Sequence, residues 1–157
     1  MKFYAECMSD VARILGFDVG ERRVGIAVTD ALGMAQPLIT MGRSTQKEEL
    51  RNIGRLVRKH NVTAMVVGHP RNMDGTASAQ TLKCEAYAAV LQEHFAMPVH
   101  LQDERLSSAE ADVWLDARGY PRGAERKGLL DRVAAMVILQ DWVDAQGGTN
   151  IAQSDAP

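Results

Sequence analysis

The stretch Arg13-Ile-Leu-Gly16-Phe-Asp18-Val-Gly20-Glu-Arg-Arg23-Val-Gly25-Ile-Ala-Val-Thr-Asp30 decides the fold. It reads as two short apolar strands, Arg13 to Gly20 and Val24 to Asp30, joined by the polar turn Glu21-Arg22-Arg23 and close enough to pair antiparallel. Strand alternation sets Ile14, Gly16 and Asp18 on one face. Gly16 is expected to leave open space beside Asp18, and Gly20 to take a positive φ in a tight turn. Burying an unpaired carboxylate costs several kcal/mol, so Asp18 needs a cation, a set of donors or a proton.

Working outward, Gly33 to Pro37 reads as a break and Leu38-Ile-Thr-Met41 as a third strand. Ser44 or Thr45 can cap a helix over 46–60, with Leu50, Ile53, Leu56 and Val57 as its apolar stripe. Val62 to Val67 is a continuous apolar strand, the pattern of a sheet covered on both faces. Gly68-His-Pro-Arg71-Asn72-Met-Asp-Gly75 is a loop by composition. A helix is predicted over 78–95, with Pro98 at its exit, and Val99 to Asp103 is a fifth strand. Ser107 or Ser108 caps a helix ending near Gly119. A basic loop over 118–127 leads to a last helix over 129–144, which Gly147-Gly148 should stop. The order β-β-β-α-β-α-β-α-α predicts an α/β fold with helices packed on a mixed sheet.

A chain of 157 residues suits one domain, placed at 13–146, with a flexible extension over 1–12 and a flexible polar tail over 147–157. The formal net charge of −2 excludes a global basic field, so any contact with nucleic acid must come from local clusters. With only Cys7 and Cys84 there is no disulfide framework, no apolar run approaches a membrane span, and no signal peptide is recognisable. A cytoplasmic location is expected.

Two more acids break apolar runs: Glu104 ends Val99-His-Leu-Gln-Asp-Glu104, and Asp131 lies within Leu129-Leu-Asp131-Arg-Val-Ala-Ala-Met-Val-Ile-Leu139. If the fold gathers Asp18 with these, a divalent metal with oxygen ligands is their cheapest shared partner, a common device for cutting phosphodiesters. Each acid also has a plain structural reading. Asp18 can pair with Arg22 or Arg23 across the hairpin, the acids of Asp103-Glu-Arg-Leu-Ser-Ser108 can cap the coming helix, and Asp131 can face water. Adjacent acids on a strand point to opposite faces, so only one of Asp103 and Glu104 can face the side of Asp18. Ala134 and Ala135 follow Asp131 by three and four positions and would let that helix approach the sheet. In the loop after the fourth strand, Gly68, Asn72, Gly75 and the Thr76 hydroxyl can present donors to a phosphate, with Arg71 adding charge; the structural reading there is a plain connection.

Together the Asp18 hairpin, the loop from Gly68 to Gly75, Asp103-Glu-Arg-Leu-Ser-Ser108 and Asp131-Arg-Val-Ala-Ala135 resemble the YqgF-type, or RuvX-like, proteins: Holliday-junction-resolvase homologues and pre-16S rRNA nucleases. The resemblance runs from about Arg13 to Ala145. His69 and Arg71 depart from it, standing where the family more often has aliphatic residues. It implies a ribonuclease H-like fold, a five-stranded sheet of three antiparallel and two added parallel strands. It also implies that Asp18, Glu104 and Asp131 are the catalytic, metal-holding acids, which resolves the choice at 103 and 104 towards Glu104. Related resolvases often carry a fourth acid near the last, whereas Arg132, Val133 and Ala134 follow Asp131 here, so a second metal would be held weakly or only with substrate.

The resulting expectation is a Mg²⁺- or Mn²⁺-dependent endonuclease with one or two metals, about 4 Å apart if two. One would activate the attacking water and the other would stabilise the departing 3′-oxygen. Arg23, Arg71, Asn72, Arg105, Arg122, Arg126 and Lys127, with Arg118, are the candidate contacts to the nucleic-acid backbone. The resemblance points to precursor 16S rRNA as substrate, with branched DNA as the rival, and to a monomer or homodimer. Two further alternatives are a catalytically inactive nucleic-acid-binding module and an ATPase of the actin type, for whose second lobe the chain has no room unless two chains pair.

Overall fold

A computed structural model describes residues 12–72, 74–104 and 107–154, the side chains of 107–109 and 147–154 excepted. The expected extension over 1–12 falls, but for its last residue, outside the described residues. The elements are β1 (Arg13–Val19), β2 (Arg23–Thr29), β3 (Ala35–Gly42), α1 (Gln46–Lys59), β4 (Val62–His69), α2 (Ala79–Phe95), β5 (Val99–Asp103), α3 (Ser107–Ala117) and α4 (Arg126–Ser154). Strands lie in the order β3-β2-β1-β4-β5. β1, β2 and β3 pair antiparallel, while β4 adds parallel to β1 and β5 parallel to β4.

The sheet is covered on both faces, which is why its central strands β1, β2 and β4 are largely apolar. On one side Leu15, Phe17, Ile26 and Met65 pack against Ile53 of α1 and Leu91 of α2. On the other, Ala27 and Val66 pack against Ala135, Ile138 and Leu139 of α4. A smaller cluster of Ala111, Leu115, Val133 and Ala134 joins α3 to α4. Thr45 caps α1 by accepting from the Glu48 amide, and Ser78 caps α2 in a capping box with Thr81.

Several boundaries differ from the sequence reading. β3 begins at Ala35 and runs through Pro37, because β3 is an edge strand whose outer side needs no N–H. β4 continues to His69, so Gly68 lies in the sheet rather than in a loop. The last helix starts at Arg126, three residues early, and runs to Ser154 through Gly147 and Gly148. A glycine costs a helix only about 1 kcal/mol relative to alanine and is no stop by itself. Gly20 is not among the positive-φ glycines. It is small for a steric reason, since a Cβ there would stand 2.9 Å from the Arg23 carbonyl oxygen.

Candidate active site

Cross-strand pairing sets the first acid. Asp18 lies directly opposite Gly25, and Gly16 opposite Ala27, so these four share the face that α4 covers. Arg23, two residues before Gly25 on β2, shares it too. On β4, Val66 packs against α4 while Met65 and Val67 pack on the far side, so Gly68 also turns towards α4. Gly68 pairs with Gln102 and His69 with Asp103. Continuing the alternation past Gln102 aims Glu104 at α4 and Asp103 at the opposite side. A Cβ on Gly68 would stand 2.5 Å from Oε2 of Glu104, so this glycine makes the room that the glutamate occupies.

α4 brings the third acid, and it comes close because the sheet is glycine where they touch. A Cβ on Gly25 would lie 1.9 Å from the Asp131 carbonyl oxygen, and one on Gly16 would lie 2.7 Å from Leu139 Cβ and 3.1 Å from the Ala135 carbonyl oxygen. Gly16 therefore seats the helix rather than leaving space beside Asp18. Ala135 serves the close approach, while Ala134 turns to α3. The start of α4 is tied to β3, since the Thr40 hydroxyl donates to the Gly128 carbonyl and accepts from Arg132 Nε at 3.2 Å.

The electrostatics follow from this crowding. Burial raises the Asp18 carboxyl above the usual carboxylate range, with the Asp131 charge adding and a hydrogen bond with Glu104 opposing. Glu104 is pushed up to about 9 by burial first, then by the charge and hydrogen bond of Asp18 and the charge of Asp103. With no cation between them, the two hold a proton at neutral pH. Asp131 is turned elsewhere: its Oδ2 accepts from Arg23 Nε at 2.5 Å. Arg23, which with Arg22 is an alternative partner for Asp18 in the sequence, pairs with Asp131 instead. The structure thus joins Asp18 to Glu104 and places Asp131 within electrostatic reach, but among the described residues no three His, Cys, Asp or Glu side chains stand together as a finished metal cage. The donor set itself, two hydrogen-bonded carboxylates and a third nearby, is hard oxygen chemistry that fits Mg²⁺ or Mn²⁺.

Among the basic candidates, Arg23 borders the acids, and Arg71 and Lys127 are exposed. Arg71 Nε donates to His69 Nδ1 at 3.2 Å, and His69 Nε2 meets Glu85 Oε1 at 2.8 Å. Arg105 lies outside the described residues. Arg122 is exposed but bonded to Asp116 at 2.9 Å, and Arg118 lies over the Trp114 ring, 3.7 Å from its centroid. Arg126 is buried and cannot meet a nucleic-acid backbone. Its guanidinium bonds Asp112 Oδ1 at 3.1 Å, Asp116 Oδ1 at 2.7 Å and the Tyr120 carbonyl at 2.9 Å. The guanidinium is buried while Asp112 and Asp116 stay 42% and 47% exposed, so truncation loses its charged hydrogen bonds but leaves carboxylates that water can serve. Arg126→Met is therefore expected to cost about 2 kcal/mol in urea denaturation while leaving substrate affinity, measured by filter binding, unchanged once the protein is folded.

The loop after β4 is also not the phosphate cradle its composition suggested. The Thr76 amide and hydroxyl both donate to Asp74 Oδ1, at 3.0 and 2.6 Å. Asn72 is committed as well, its side-chain amide donating to the Thr76 hydroxyl at 2.9 Å and its backbone amide to the Thr76 carbonyl at 3.0 Å. The donors offered to an anion close the turn instead. What sequence reasoning missed is the part played by Gly25 and Gly68. Their signal was present, since a glycine inside a strand marks a close backbone or ligand approach.

A mixed sheet of this order, with helices packed on both faces, defines the ribonuclease H-like class. The structure superposes on Thermus thermophilus RuvC, solved in complex with a Holliday junction substrate, with a TM-score of 0.53 at 20% identity, covering 88% of this chain and 97% of that one. The chain belongs to the RuvX family, described as a Holliday junction resolvase, whose model matches residues 12–145. Relatives named "Putative pre-16S rRNA nuclease" include those of Thermoanaerobacter pseudethanolicus, 38% identical over 85% of this chain and 97% of its own length, and of Enterococcus faecalis, 40% identical over 85% and 97%. That of Pseudomonas putida is 37% identical over 88% and 99%. Family and relatives together give the chain a nuclease role. Among the described residues no helix is long and apolar enough to cross a membrane.

Proposed function

We propose that this chain is a metal-dependent endonuclease acting on structured nucleic acid, with the 5′ end of precursor 16S rRNA as its substrate. The observation that carries the reading is the Asp18–Glu104 pair: two carboxylates held against each other in a poorly solvated place, both shifted towards the protonated form. Structure alone gains nothing from such a pair, and strongly perturbed acids of this kind gather at functional sites. The names of the relatives support rRNA as the substrate.

Asp18, Glu104 and Asp131 are the residues that would hold the ion. Mg²⁺ or Mn²⁺, when bound, supplies Lewis-acid activation of a water nucleophile and neutralises charge at phosphorus. The chain's own groups do the rest. Asp18 and Glu104 give up their shared proton when the site is loaded and then present only acceptor oxygens. Gly25 and Gly68 hold the three acids on one side of the sheet, and Arg23, Arg71 and Lys127 offer cations to the substrate backbone without reading its sequence.

The deciding experiment compares the purified chain on a precursor 16S rRNA fragment and on a four-way DNA junction, with Mg²⁺, Mn²⁺ or chelator. Cleavage of the rRNA that chelator abolishes is expected. Asp131→Asn should lower it by more than about a hundredfold, beyond the loss typical of an outer-shell partner. Cleavage of the junction alone would favour the second reading, a resolvase, which the family's description supports. Unimpaired cleavage by Asp131→Asn would remove that residue from the site.

A further inference from the structure

We propose that Arg23 is a built-in placeholder cation. It holds Asp131 out of the carboxylate cluster until a divalent ion displaces it, and the released guanidinium then takes a phosphate of the substrate strand. The inference rests on the metal-dependent reading above and goes beyond it by assigning who keeps the cage open.

Three observations carry it. The first is that Asp131 is committed to Arg23, Nε to Oδ2 at 2.5 Å, rather than to the acids beside it. The second is that its backbone has no freedom to move inward. The Asp131 carbonyl already lies where a Cβ on Gly25 would collide at 1.9 Å, and Arg132 and Gly128 on either side are bonded to Thr40. The helix is thus docked, and the Asp131 charge already bears on Asp18. What separates the open from the closed cluster is a side-chain rotation at Asp131, not a helix movement. The third is that the pair is accessible, with 38% of the Arg23 side chain and 23% of the Asp131 side chain exposed. An ion can reach it from solvent, and an arginine leaving it stays at the mouth of the site.

The charges favour such an exchange. Asp18 and Glu104, with Asp131 within electrostatic reach, need positive charge. Arg23 supplies one unit from the rim, whereas a divalent ion supplies two at the centre and can be shared by all three acids. Once free, a guanidinium finds its best new partner in a phosphate, which matches its planar array of donors. The rival role for Arg23 is a fixed support that aims Asp131 at the ion. The two roles predict opposite signs. A placeholder competes with the metal, so removing it tightens binding; a support helps the metal, so removing it weakens binding.

The test is Mn²⁺ binding to the full chain without nucleic acid, read by electron paramagnetic resonance of free Mn²⁺ and by the shift in melting temperature. The proteins are wild type, Arg23→Met, Arg23→Lys and Asp131→Asn. Arg23→Met is expected to bind Mn²⁺ about two- to fivefold more tightly, the worth of an ion pair of this exposure. Arg23→Lys should fall between, and Asp131→Asn should bind more weakly than wild type. Despite its tighter metal, Arg23→Met should bind a nucleic-acid strand more weakly. Unchanged or weaker Mn²⁺ binding by folded Arg23→Met and Arg23→Lys, with a wild type that binds normally, would overturn the placeholder and leave the nuclease reading standing. Wild-type Mn²⁺ affinity in Asp131→Asn overturns it as well, while a wild type that binds no Mn²⁺ removes both proposals.

Discussion

Glu104→Gln is expected to abolish cleavage and at the same time to make the metal-free protein more stable at neutral and alkaline pH. The sign follows from the direction of its shift. Glu104 starts near 4.5 in the unfolded chain and is raised to about 9 in the fold, so the folded state prefers the protonated form. A group raised in this way contributes its stability below about 4.5, and that contribution is lost as pH climbs through the window to about 9. Glutamine keeps the shape and can still donate to Asp18, but it never takes the charge. The variant should therefore gain about 1–2 kcal/mol over wild type at pH 8 in chelator, the usual return for relieving a strained functional group. The difference should vanish near pH 4. Adding Mg²⁺ should reverse the ranking, because only wild type gains from the ligand. Urea denaturation of both proteins at pH 4, 6 and 8, with and without metal, measures this. A constant difference across that range would mean that Glu104 is not held against Asp18.

Gly25→Ala is expected to be the most damaging single methyl group in the sheet. The added carbon would stand 1.9 Å from the Asp131 carbonyl oxygen and 2.2 Å from its carbonyl carbon. Both are backbone atoms, so no side chain can swing aside. Either α4 lifts off β2 or the variant fails to fold. Overpacking costs 1–3 kcal/mol where side chains can yield, so about 3 kcal/mol or more is expected where backbone must move. Asp131 would leave the neighbourhood of Asp18, and cleavage should fall with it. Gly42→Ala is the matched control: it lies on edge strand β3 with nothing within 4 Å of the new carbon, and it should change stability by no more than about 0.5 kcal/mol. Equal urea midpoints for the two variants would show that α4 does not rest on Gly25.

Some of these features show in the sequence and others do not. An aspartate inside Ile14-Leu-Gly-Phe-Asp18 is conspicuous because burying charge is costly, and the same reasoning found Glu104 and Asp131. Strand periodicity required that only one of Asp103 and Glu104 share a side with Asp18; the pairing of Gly68 with Gln102 and of His69 with Asp103 shows it to be Glu104. Arg126 illustrates the opposite case. It stands in a run of basic residues that reads as a solvated surface, and nothing local reveals that Asp112 and Asp116, one helical turn apart on α3, enclose it. The donors after β4 misled for a related reason. Composition shows that Asn72 and Thr76 can donate, but not that Asp74 and the turn itself use up that capacity.

Local pattern therefore determined the elements, their order and the three acids, because periodicity and the cost of a buried charge act within a few residues along the chain. The partners were decided by the tertiary structure. Asp18 meets Glu104 because strand pairing aims both at one face beside Gly68, Arg126 meets Asp112 and Asp116 because α3 packs against α4, and Asp131 meets Arg23 because α4 settles onto Gly16 and Gly25. That approach distance is a property of packed backbones, to which no single segment holds the information.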